Sequence, residues 1–179
     1  AEGVKYTLEV EQDDLDESTR DWDNLCTMVC WHRHYNLGDK HDFDGIEDFF
    51  QSLCKQVLGK GYDETDDLHW QDMFKMLDES NLILIKPINM YDHSGITVST
   101  SNGYPYNDRW DAGCVGFIYV TKERVFKECG GITEENWKER ADKYLEGEME
   151  TYDQYCRGEV YGYRLIKTVV EQETCPHCG

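Results

Sequence analysis

The stretch "CPHCG" (175–179) sets Cys175 and Cys178 in a knuckle shaped by Pro and Gly, which aims two thiolates and the neighbouring amides at one point. Such a pair supplies one side of a tetrahedral zinc site, so zinc is the cofactor the sequence suggests. Three sources stand open for the remaining ligands. Cys26 and Cys30 lie four apart on a predicted strand, a spacing that makes no knuckle; His32 and His34 share a strand face and can chelate; a natural chain continuing past Gly179 would supply the rest. The plain alternative is a redox-inert pair at a terminus.

Other chemistries fail on spacing. "KHDFDGIED" (40–48) fits positions 3, 5 and 6 of a calcium loop with Asp42, Asp44 and Gly45, yet Lys40 and Gln51 occupy the positions that need carboxylates. Asp92, His93 and Ser94 are consecutive, and consecutive extended residues point to opposite faces, so they read as a turn and not as a triad. Cys114 with His93 is the remaining nucleophile pair, weighed against a core thiol. The chain has no phosphate-cradling glycine loop, nucleophile elbow or His-Glu-x-x-His helix. The expectation is a protein that is not an enzyme, with a small thiol-dependent enzyme as an alternative.

Carboxylates dominate instead. "EQDDLDESTRDWDN" (11–24) holds seven acids, Asp13, Asp14, Asp16 and Glu17 among them, and one arginine. A second acidic run lies at 63–67. On a long helix predicted from about Thr133 to Arg157, Glu135, Glu139, Asp142, Glu146, Glu150 and Asp153 recur every three or four residues and form a rail along one side, costing a few tenths of a kcal/mol per like-charge pair. A solvated helix face explains any one such stripe but not the repetition of the bias. Asp and Glu total 37 against 18 Lys and Arg, a net charge of −19, where a magnitude of roughly 2–8 keeps a small domain soluble. Such a field repels phosphate backbones and anionic membranes and attracts basic protein surfaces. The expected partner is a basic protein that binds nucleic acid; direct binding to nucleic acid or membrane is disfavoured. "SNGYPYNDRWDAG" (101–113) offers Tyr104, Tyr106 and Trp110 as a second contact loop, since aromatics anchor interfaces.

These residues require a frame. Alternation over 5–12 predicts a half-buried strand with Tyr6, Leu8 and Val10 inward, and 25–32 predicts a second with Cys26, Met28 and Cys30 on one face. Ile46, Phe49, Phe50, Leu53, Cys54, Val57 and Leu58 make a full helical stripe ending at Gly59, with Asp42 or Asp44 near its start. Thr65 is expected to cap a helix carrying Trp70, Met73, Phe74 and Leu77. Strands follow at 81–91, 96–101 and 114–121, a short helix at 121–129, the long helix with Trp137, Ala141, Tyr144, Leu145, Tyr152 and Tyr155 or Cys156 as its apolar face, and a closing strand at 160–170. Cys54, Cys114 and Cys156 read as core thiols. The sum is one α+β domain over 1–179: a mainly antiparallel sheet with one long acidic helix in the C-terminal half and two or three shorter helices. Its apolar content of 39% is ample for a core. No stretch reads as a membrane span or export signal, so a soluble cytoplasmic protein with reduced thiols is expected.

"DWDNLCTMVCWHRHYNLGD" (21–39), "WDAGCVGFIYVTKE" (110–123) and "ETYDQYCRGEVYGY" (150–163) resemble a family of small acidic proteins encoded by bacteriophages and other mobile elements. Members carry Gly at the position of Cys26 and continue past "CPHCG" into a short tail. The resemblance implies a setting, the contest with host defence, and not a catalytic residue. With the charge, it leads to an expected function: a non-enzymatic inhibitor in the host cytoplasm, of anti-CRISPR or anti-restriction type, that occupies a basic groove with phosphate-like carboxylates. A zinc-stabilised interaction adaptor is the alternative.

Overall fold

The computed structural model describes residues 3–13, 16–92, 95–100 and 112–170. Contacts divide the chain into two compact units, one made of Ala1–Asp16 with Gly158–Gly179 and the other of Glu17–Arg157. All strand pairing is antiparallel, and helices and strands are mixed along the chain, which makes the fold α+β.

The larger unit is built on a four-stranded sheet in the order β2 (Thr27–Cys30), β5 (Ala112–Thr121), β3 (Ile83–Asp92), β4 (Ile96–Ser99). Both faces are covered, so the alternation within each strand sorts residues into two cores. Val29, Ile83, Ile85 and Phe117 face α1 (Ile46–Leu58) and α3 (Trp70–Glu79), where Phe49, Phe50, Leu53, Cys54, Met73 and Leu77 are buried. Met28, Ile88, Met90, Ile118 and Val120 face α5 (Trp137–Cys156) together with Val125 of α4 (Lys122–Glu128). Phe49, Phe50, Leu53 and Cys54 of the predicted α1 stripe are thus buried as expected, while Ile46, Val57 and Leu58 are partly buried, and the end of the helix is fixed by Gly59 at φ 70°, whose N–H donates to the carbonyl of Cys54. Gly116 has a different role. A Cβ there would stand 2.2 Å from the Val29 carbonyl oxygen, so only glycine lets β2 lie against β5.

Local details depart from expectation in part. Asp44 lies next to the N-cap of α1, as expected; the cap itself is Gly45, and Asp48 reaches back to accept from the Asp44 N–H. Thr65 ends a short α2 (Tyr62–Thr65), its buried hydroxyl donating to the Gly61 carbonyl, and α3 starts after His69. The hydroxyl therefore satisfies a carbonyl within α2 and is not available as a cap. Cys114 is exposed, not a core thiol, because the sheet face it occupies lies at the start of β5 beyond the reach of β2.

The smaller unit is a two-stranded ribbon, β1 (Gly3–Gln12) paired along its whole length with β6 (Tyr161–Val170). Both strands form as expected, but their burial does not. Tyr6, Leu8 and Val10 are exposed, and Leu165 and Tyr163, which pair with Leu8 and Val10, are exposed on the same face. Period-two alternation specifies an apolar face; it does not specify that the same chain covers it.

Candidate interaction surface

The α5 helix positions the acidic rail through its opposite side. Trp137, Ala141, Leu145, Met149 and Tyr152 recur at three- and four-residue steps and are buried against the sheet. Tyr144, expected in that stripe, is 42% exposed because it lies beyond the edge that Trp137 marks, and Met149, not expected there, is buried beside Leu145. The Tyr152 hydroxyl accepts from the Gly38 N–H at 2.9 Å, and burial pushes its ionisation well above the ordinary phenol range.

The six rail acids divide by their distance from that buried arc. Asp142 and Asp153 lie nearest to it. Asp153 accepts from the Val98 N–H at 2.8 Å and from Arg157 at 2.9 Å, and Asp142 is paired with Lys86 of β3. These two hold α5 to the sheet and are not open charges for a partner. Glu135, Glu139, Glu146 and Glu150 are exposed. Glu139 is bound to Lys143 one turn on at 2.7 Å, which together with that charge lowers its carboxyl below the usual range, and Glu146 stands 3.7 Å from Lys86. Glu135 precedes the helix and is lowered chiefly by the Thr133 hydroxyl. From Glu139 to Glu150 the open row extends over about 16 Å.

The lone arginine of the 11–24 stretch gives part of that stretch a structural purpose. Ser18 accepts from the Arg20 N–H and starts a single 3-10 turn, Thr19–Asp21, that turns Arg20 inward until its side chain is 2% exposed. There the guanidinium donates to both oxygens of Asp39 (2.8 and 3.2 Å), to Glu148 of α5 (3.0 Å) and to the Cys26 carbonyl (2.7 Å). Glu148 also accepts from the Leu25 and Cys26 N–H groups, and Asp39 from that of Met28. Arg20 thus pins the lead-in to β2 against α5. Sequence reading missed Glu148 because it sits outside the acidic row; its place on the buried side, one residue before Met149, is the signal that would have found it.

The remaining expected residues belong to different parts of the chain. Asp13 and Asp16 belong to the smaller unit and Glu17 to the larger, and all three are exposed. The 63–67 acids lie at α2, which packs on α1, across the sheet from α5. Asp14, Tyr104, Tyr106, Trp110, His93, Cys175 and Cys178 lie outside the described residues. Among the described residues no group of three metal-ligating side chains occurs. His32 and His34 are edge to face at 5.9 Å, but His32 Nδ1 accepts from the His34 and Tyr35 N–H groups and is turned toward the backbone. Burial pushes the thiols of Cys26 and Cys54 up, Cys30 up to about 12 and Cys156 up to about 11. That is the opposite of the shift that activates a nucleophilic cysteine. No helix among the described residues is long and apolar enough to cross a membrane.

No family model, curated protein or solved structure matches this chain.

Proposed function

We propose that the protein is a non-enzymatic acidic inhibitor that binds a host nucleic-acid-acting protein, such as a CRISPR effector or restriction enzyme, and that the exposed carboxylates of α5 take the place of backbone phosphates. The observation that carries this reading is the row Glu139, Glu146 and Glu150, open to solvent on a helix whose other side is anchored in the core, in a chain of net charge −19. Anions fixed on one side of a helix, stepped by about 10 and 6 Å along its axis, offer a basic groove a line of charge on the scale of a nucleic-acid strand. The resemblance to proteins of mobile elements favours a target in host defence.

The test is competition. A host protein recovered by pull-down should release its nucleic acid when this chain binds, and the complex should weaken steeply as salt rises, because screening over about 8–10 Å acts on every exposed pair together. Simultaneous binding of both ligands, or affinity indifferent to salt, rejects the proposal.

A further inference from the structure

The ribbon of β1 and β6 presents an apolar face that the charge argument does not use. Its cross-strand pairs are Val4 with Val169, Leu8 with Leu165 and Val10 with Tyr163, and the exposure of these six side chains runs from 48% at Val169 to 80% at Tyr163. Tyr6 and Tyr161 extend the face at 61% and 63%. Two strands alone are marginal in water, and stable small sheets cover such a face. The exposed area of the eight side chains is on the order of 900 Å², against about 800 Å² per partner in a standard-size interface.

Charge distinguishes the occupant. The two strands carry Lys5, Arg164 and Lys167 against Glu9 and Glu11, a local charge of +1 within a chain of −19. Glu9 and Arg164 oppose one another across the ribbon with their side chains 3.6 Å apart, on the face away from Leu8 and Leu165. The apolar face itself carries only Lys167, so it suits an apolar surface such as the same face of a second copy, although the unit it belongs to is acidic overall. Lys167, opposite Tyr6, is the one charge on the apolar face, and because β6 is an edge strand its long stem can lie along the surface while the ammonium reaches water.

We propose that this face packs against the same face of a second copy, forming a symmetric homodimer whose interface is a pair of stacked two-stranded ribbons. Apolar burial drives the association, and the charge of the two chains opposes it. Dimerisation therefore tightens as salt rises, in contrast to the binding of a basic target.

The experiment is sedimentation equilibrium of the full chain at low and high salt. The expected result is a dimer of about twice the 21.0 kDa chain with a dissociation constant in the micromolar range, tighter at high salt. Leu8→Glu with Leu165→Glu should weaken it at least about 100-fold, since each change acts twice across the two-fold interface. Tyr163→Glu guards against a folding artefact: its side chain is already 80% exposed, so far-UV circular dichroism should stay as in the parent while dimerisation falls at least about 10-fold. A parent that stays monomeric at about 100 µM in high salt overturns the proposal, as does a dimer that Tyr163→Glu leaves intact.

Discussion

Replacing Arg20 by methionine removes four hydrogen bonds at once and leaves their acceptors in place. The Glu148 and Asp39 side chains are only 13% and 26% exposed, so two carboxylates would stand close together without their cation. Breaking a buried pair by removing one member costs about 3–5 kcal/mol. Here the lower end applies, because Glu148 keeps its bonds from the Leu25 and Cys26 N–H groups, Asp39 keeps that from Met28, and partial exposure screens both. The expected loss is about 3 kcal/mol, read as a lower urea midpoint at unchanged slope with the buried Trp137 as fluorescent reporter. Adding Glu148→Gln should return part of the loss, since the amide oxygen still accepts from the β2 lead-in while one uncompensated charge is gone. A loss under about 1 kcal/mol, or a double mutant whose cost is the plain sum of the two, would refute the view that this ion cluster pins α5 to β2.

Three further outcomes follow from separate features. Gly116→Ala should destabilise by about 3 kcal/mol or more, because its methyl group would meet the Val29 carbonyl oxygen and the Cys30 Cα; chemical denaturation showing a loss below about 1 kcal/mol would mean that β2 does not lie against β5 as described. Cys30 and Cys156 hold their protons up to about 12 and 11 when folded, above the ordinary thiol value of 9.0, so the stability they contribute is complete below pH 9.0 and is lost as pH rises through the folded values. Thermal melting across that window should fall, and Cys30→Ala should flatten the decline; a flat parent profile contradicts this. Zinc, expected at Cys175 and Cys178, should be recovered at about one per chain by elemental analysis and lost in Cys175→Ser; a folded, metal-free sample contradicts that expectation.

Much of the frame was legible because periodicity reports which face of an element is apolar. The stripe from Ile46 to Leu58 with its closing Gly59, the buried strands at Ile83–Asp92 and Ala112–Thr121, and the two-faced β2 all come from spacing alone. The sheet order did not, because β2 finds β5 only through a contact that Gly116 permits. The ribbon was legible as strands and misread as buried, since alternation is the same whether a face meets a core or solvent. The rail was legible as a row of acids and not as individual roles: a small rotation about the axis decides whether a carboxylate is held against the sheet, as Asp142 is by Lys86 and Asp153 by the Val98 N–H, or is left exposed, as Glu146 and Glu150 are. Arg20 stood out only as the single arginine of an acidic run, and its long-range partners Asp39 and Glu148 follow only from the folded chain.

The central claim, that the open face of α5 imitates a nucleic-acid backbone, is tested most directly by reversing Glu139, Glu146 and Glu150 to Lys while leaving the anchoring Asp142, Glu148 and Asp153 intact. These three side chains are exposed, so circular dichroism and the melting midpoint should stay close to the parent's. Titrated against the recovered host protein across a salt series, the variant should bind at least about 100-fold more weakly than the parent at low salt, lose most of the salt dependence, and no longer displace the target's nucleic acid. A folded variant that inhibits as well as the parent, with the same dependence on salt, would contradict the claim.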